Sequence, residues 1–217
     1  MNMPYLIKPG RCLKIASLCL LLLLAMSGRG FANYDYINIS DPFQKRIPIA
    51  IPVPASLSEN RETEAISGRV ADLLYRSLDF TGYFTMIDSR AFLDAPGRQG
   101  IATSEINFKN WRDIGAELLI TGGVRLEDRI LQLEFRLFDP FRQELVFGKR
   151  YTGEVSDLRK MVLKFCDEMI SRLTGDFGVF NTKIAFASET QNGKAIYLCD
   201  FDGENLRRLT DEGHIAL

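Results

Sequence analysis

Residues 131–137 read Leu131-Gln132-Leu133-Glu134-Phe135-Arg136-Leu137, a strict alternation of apolar and polar side chains. Successive strand side chains point to opposite faces, so this segment predicts an antiparallel strand with one buried face. Upstream, Leu118 to Leu126 is a second strand candidate, and it carries Gly122-Gly123. Glycines inside a strand predict a bulge or the close approach of another backbone. Downstream, Leu145 to Thr152 supplies the hairpin partner, after a five-residue turn begun by Asp139-Pro140. A long antiparallel hairpin is therefore expected.

The flanking segments add helices. From Glu62 to Leu78 the apolar positions are Ile66, Val70, Leu73, Leu74 and Leu78, one helical face, with Gly82 as the stop. Leu158, Met161, Val162, Phe165, Cys166, Met169, Ile170 and Leu173 form a second, wider stripe, with Ser156 as its N-cap and Gly175 as its stop. At that spacing Met161 and Met169 read as core residues. Ile47 to Val53 is β-rich, but Pro48, Pro52 and Pro54 suit an edge strand or strand ends. Tyr83 to Ile87 predicts a strand, 94–104 a loop, and Phe108 to Ile114 a short helix closed by Gly115. The expected fold is α/β: one mixed sheet covered by two main helices.

The pattern changes after Phe180. Lys183 to Ser188, Ala195 to Asp200 and Asn205 to Leu209 predict three short strands, like the first blade of a β-propeller. Ile184, Phe186, Ile196, Leu198 and Leu209 are expected to expose an apolar face. Repeat units do not bury their cores alone, so this tail is expected to fray or to dock loosely on the preceding fold.

Lys8, Arg11 and Lys14 precede an apolar run, Ile15 to Met26, and Gly30-Phe31-Ala32 follows. This three-part pattern predicts a secretory signal cleaved after Ala32; the run is shorter than the roughly 18–20 residues of a spanning helix. No convincing lipobox precedes a cysteine. The whole chain of 217 residues has 27 basic and 28 acidic side chains. Residues 1–32 hold four basic and no acidic ones, which leaves 23 against 28, a net of −5 for the mature chain. That balance disfavours nucleic acid and anionic membrane surfaces as partners. Cys166 and Cys199 remain after cleavage, either paired in an oxidising compartment or buried as small apolar side chains.

Chemistry-bearing motifs are sparse. Asp200-Phe201-Asp202-Gly203 opens like a calcium loop, but Asn205 and Asp211 stand where that loop needs Gly and Glu, so a β-turn is the better reading. No phosphate-binding glycine loop and no nucleophile elbow occurs. His214 is the sole histidine, far from any serine or cysteine partner. Glu62 and Glu64 sit at a solvated helix start, and Trp111 beside Arg112 reads as a boundary core residue before a sugar platform. Neither a catalytic residue nor a metal or cofactor site is expected.

Several stretches in order resemble the TolB family, periplasmic components of Tol–Pal systems. They are 47–52 (Ile-Pro-Ile-Ala-Ile-Pro), Ala71-Asp72-Leu73, Gly82-Tyr83-Phe84 and Trp111 to Glu117 running into 118–122. The most specific are Asp167 to Ile170, Leu173-Thr174-Gly175 and 178–186 (Gly-Val-Phe-Asn-Thr-Lys-Ile-Ala-Phe), followed by Ile196-Tyr197-Leu198, Asp200 to Gly203 and Leu209-Thr210. The resemblance covers essentially the whole mature chain. It implies a signal peptide (1–32), an N-terminal α/β domain (33–180) and the start of a truncated propeller (181–217).

The resemblance also implies a function: a non-catalytic periplasmic adaptor supporting outer-membrane integrity, cell division and protein import. In that family the mature N-terminal segment engages TolA. The matching positions here are Asn33, Tyr34, Asp35, Tyr36, Ile37, Asn38 and Ile39. Their polar, β-prone character fits a strand added to a partner sheet, or an edge strand of the chain's own domain. Binding to a Pal-like lipoprotein is attributed to the propeller, and that site is expected to be largely missing from this chain. The readings held against the adaptor are a periplasmic solute- or metal-binding domain and, more remotely, a hydrolase.

Overall fold

The computed structural model describes residues 46–58, 61–93, 101–190 and 193–210. The signal segment (1–32) and the predicted strand at Tyr36 to Ile39 lie outside the described residues. The first sheet is built from β1 (Ile47–Ala50), β2 (Ala55–Ser56), β3 (Phe84–Met86), β4 (Leu118–Glu127), β5 (Ile130–Asp139) and β6 (Glu144–Glu154). Its order is β3-β1-β4-β5-β6, and β2 pairs with β4 further along the same side. The β1, β2 and β3 pairings are parallel; β4–β5 and β5–β6 are antiparallel.

The alternation at 131–137 does what its period requires. Leu131, Leu133, Phe135 and Leu137 are each 0% exposed, while Gln132, Glu134 and Arg136 lie on the other face. Two helices, α1 (Arg61–Phe80) and α3 (Leu158–Thr174), cover the buried face. The Phe135 ring lies 4.7 Å from that of Phe165 of α3, and Phe147 of β6 stacks on the Phe165 ring at 5.6 Å. Glu62 and Glu64 occupy the first turn of α1, where the helix dipole favours negative charge. Gly175 ends α3 in the left-handed region (φ 82°), and its N–H donates to Ser171 O at 2.9 Å. The short helix α2 (Phe108–Asp113) serves the opposite face, where Phe108 and Trp111 pack with Ala50, Leu119 and Phe138.

Gly122 and Gly123 mark close approach, not a bulge. A Cβ on Gly122 would lie 2.5 Å from the Glu134 carbonyl oxygen, and one on Gly123 would meet the ends of Ile101 and Leu57. The ladder irregularity falls instead between Leu137 and Phe138.

Two expectations need correction. Of the two places read for the prolines, strand ends hold for Pro52 and Pro54 and the edge falls, because β1 is an interior strand. Ile47 N donates to Tyr83 O and Ile87 N donates to Ile49 O, both at 3.0 Å, on the β3 side. Pro48 O accepts from Glu117 N at 2.9 Å on the β4 side. The N–H that Pro48 lacks would also face that side, but β4 begins to pair only opposite Ile49 and Ala50, so no ladder bond is forfeited. Pro52 and Pro54 fall in the break between β1 and β2. The N-cap of α3 is Asp157, not Ser156. Residues Val155–Asp157 form a 3-10 turn first, in which the Asp157 carboxylate accepts from Glu154 N at 3.1 Å.

Beyond Gly175 the chain builds a separate sheet, β7 (Lys183–Thr190), β8 (Gly193–Asp200) and β9 (Arg207–Arg208), in the order β7-β8-β9. Its apolar residues do not share one face. The register sets Ile184 opposite Cys199 and Phe186 opposite Tyr197, and Ala185 opposite Leu198 and Ala187 opposite Ile196. Alternation puts the first two pairs on one face and the last two on the other. Ile184 and Phe186 are 47% and 40% exposed. Of the two expectations for the tail, the structure displays docking: Phe201, just past β8, is buried within the main core cluster beside Phe180.

Candidate functional site

The residues singled out for partner binding, Asn33 to Ile39, lie outside the described residues. Asp211 and His214 also lie outside the described residues; the remaining candidates are placed, and most serve the fold. Trp111 is 1% exposed, edge-on to Phe92 at 5.1 Å. Glu62 and Glu64 are exposed on α1. Cys166 and Cys199 are buried, separate free thiols, so the paired alternative falls. Burial pushes the Cys166 thiol well above its usual range, which removes thiolate character. Asp200 to Gly203 is a tight turn in which Gly203 N donates to Asp200 O at 3.0 Å and Gly203 has φ 85°. Among the described residues, no group of three or more His, Cys, Asp or Glu is placed to hold a metal ion.

Three surface features remain. On the polar face of the first sheet a groove of about 400 Å³ runs past Arg125, Glu127, Gln132 and Glu134. Burial would raise the Glu134 carboxyl, but hydrogen bonds from Arg150 and Arg136 outweigh it and hold the group below its ordinary value. Its oxygens lie 2.7 Å from Arg150 Nη2 and 2.6 Å from Arg136 Nη2, and Arg125 pairs with Glu127 at 3.0 Å. A charged ligand there would have to displace these pairs. At one end of the sheet, β6 leaves its outer edge unpaired within the sheet. An apolar groove of about 270 Å³ opens between Phe80, Tyr83, Ile170, Phe177 and Val179.

The densest polar arrangement is at the junction of the two sheets. Both carboxylate oxygens of Asp202 lie 2.8 Å from Arg159 Nη2, on the first turn of α3. Asp200 accepts from Lys183 Nζ at 2.6 Å and Asn205 Nδ2 at 2.6 Å, with Arg159 Nη2 at 3.4 Å. The Lys183 and Asn205 hydrogen bonds hold Asp200 below its ordinary value. The spacing Asp-x-Asp was legible as a turn. Its cation was not, because Arg159 lies 41 residues before Asp200.

A family model described as the TolB amino-terminal domain matches residues 35–146. The chain is 44% identical over 204 residues to the Tol-Pal system protein TolB of Desulfosudis oleivorans, covering 94% of this chain and 47% of that protein. It is 36% identical over 198 residues to the protein of the same name from Syntrophotalea carbinolica, covering 91% and 45%. The crystal structure of TolB from Acinetobacter baumannii shares the fold, with a TM-score of 0.61 at 19% identity, over 77% of this chain and 39% of that one. The chain thus spans about half the length of the curated relatives it matches.

Proposed function

The chain belongs to the TolB family, and from that premise we propose that it is a non-catalytic periplasmic adaptor of a Tol–Pal envelope system. Its work is to support outer-membrane integrity, cell division and protein import. It reaches the periplasm through the signal at 1–32, cleaved after Ala32. Residues 33–180 form the adaptor's N-terminal domain, and 181–217 begin a propeller whose Pal-binding surface lies largely outside this sequence. Asn33 to Ile39 engage a TolA-like inner-membrane partner by adding a strand to its sheet.

The observation that carries this reading is the 44% identity over 204 residues to a relative named for the Tol–Pal system. The electrostatics support it. Asp88, Glu134 and Asp200 are the carboxylates with resolved shifts among the described residues, and all are lowered. Arg90, the Arg136–Arg150 pair and Lys183 hold them ionised. General acids working near neutrality need the opposite shift.

Deleting Asn33 to Ile39 tests the partner assignment. A thermal melt of the deletion should match that of the full chain, because the body at 46–180 supplies its own core. A pull-down with the purified TolA-like partner should lose most of its signal. Undiminished capture would remove the strand-addition reading.

A further inference from the structure

Among the described residues, the strand unit β7–β9 meets the α/β body through a linker, the Phe201 ring and the Arg159 ion pairs. The linker is stapled first. The Asp167 carboxylate of α3 accepts from Phe180 N at 2.9 Å and from the Asn181 side chain. Gly178 lies so close that a Cβ there would fall 2.5 Å from Asp167 Cα. The unit's origin at 181–183 is therefore fixed on α3.

The second point is Phe201, 4% exposed. Its ring takes the edge-on arrangement with Phe80, the last residue of α1, at 5.5 Å, and with Phe180 at 5.2 Å. Two fixed points still leave one freedom, rotation about the line joining them. Arg159 with Asp202 and Asp200 is the third point. It is partly open to solvent, with side-chain exposures of 29% for Arg159 and 22% for Asp202. Salt therefore weakens it while leaving the apolar plug in place.

We infer that the Arg159–Asp202 pair is a catch that sets the orientation of the β7–β9 unit, with Phe201 as the pivot about which the unit swings when the catch opens. The inference stands on the junction geometry and does not depend on the Tol–Pal reading. Asp200 stays with the strand unit in either position, because Lys183 and Asn205 move with it. Arg159 stays with α3. Asp202 is the group that crosses between them.

The test uses the full chain with Cys12 and Cys19 replaced by serine and with spin labels on cysteines replacing the exposed Lys164 of α3 and Lys194 of β8. Native Cys166 and Cys199 are buried and remain unlabelled in the folded chain. The unaltered junction should give one narrow label-to-label distance. Arg159→Gln should lose it for a broad distribution, while amides across Leu118–Leu137 keep their protection from exchange. Arg159→Lys, which keeps a donating cation toward Asp202 and Asp200, should restore most of the narrow distance. A narrow distance in Arg159→Gln would overturn the catch. So would loss of protection across Leu118–Leu137, which would make Arg159 a support of the body, and so would an Arg159→Lys distribution as broad as that of Arg159→Gln.

Discussion

Adjacent glycines in β4 offer a sharp test of how the first sheet is packed. Alanine at Gly122 would put its Cβ 2.5 Å from the Glu134 carbonyl oxygen and 3.1 Å from a Phe135 ring carbon. The oxygen belongs to the paired β5 backbone, so relief requires the two central strands to separate. Overpacking of this kind costs about 1–3 kcal/mol, and a rigid neighbour puts it at the upper end. Replacing a strand glycine returns about 0.5–1 kcal/mol of backbone freedom, which leaves a net loss of about 2 kcal/mol. Alanine at Gly123 would meet Ile101 Cδ1 at 2.4 Å and Leu57 Cδ1 at 2.7 Å, both far ends of flexible side chains. There the backbone gain offsets most of the cost, and the net change stays within about 0.5 kcal/mol. With a urea slope of about 2 kcal/mol/M for a body of this size, Gly122→Ala should lower the unfolding midpoint by about 1 M and Gly123→Ala by under about 0.3 M. Equal shifts, or a larger one for Gly123→Ala, would refute the assignment of Gly122 to a backbone contact.

Hydrogen exchange should divide the chain: amides at 184–189 and 194–199 exchange faster than those at 119–126 and 131–138, and equal protection would count against a separately opening strand unit. Asp200 is held below its unfolded value of 3.8 by Lys183 and Asn205. Its contribution is therefore complete above about pH 4 and is lost as pH falls through the lower folded value. The stability gap between the unaltered chain and Asp200→Asn should close on acidification in urea titrations, and a gap that widens would contradict the ion-pair assignment. Cys166, fully buried with its thiol pushed up by burial, should resist a thiol reagent until the chain is unfolded; stoichiometric labelling of Cys166 in the folded chain would show that α3 leaves the sheet readily.

How much of this was legible in the sequence follows from the range over which each feature is encoded. The alternation at 131–137 and the stripe from Leu158 to Leu173 are local patterns, and each names its own buried face. Gly122-Gly123 was legible as either a bulge or a close approach, and only the unbroken β4–β5 ladder decides for the second. The place of β1 was not, because it depends on where β4 starts relative to Pro48, an offset between segments some seventy residues apart. Ser156 has the chemistry of a cap, yet Glu154 and Asp157 close a 3-10 turn around it and move the helix start by one residue. The apolar residues of the tail were visible individually. Their division between two faces needed the β7–β8 register. Of the junction, the sequence shows a turn at 200–203 but neither Arg159 nor the ring of Phe80 that it meets.

The two sheets solve the burial problem differently, and this explains why a polar contact has so much influence at the junction. In the first sheet Leu131, Leu133, Phe135 and Leu137 of β5 are sealed beneath α1 and α3, and the charged face opposite is neutralised by pairs such as Arg150–Glu134. Its stability is internal. In the second sheet both faces carry apolar side chains, and Ile184, Phe186 and Leu209 remain 40–50% exposed. A small sheet of this kind has little core of its own. Its hold on the body is concentrated in Phe201, and a single buried ring constrains position far better than rotation. Directional contacts must then supply the orientation, and hydrogen-bonded ion pairs are the directional kind. A surface ion pair is usually worth little in stability. Where the competing orientations differ by equally little, the Arg159–Asp202 pair is enough to select one.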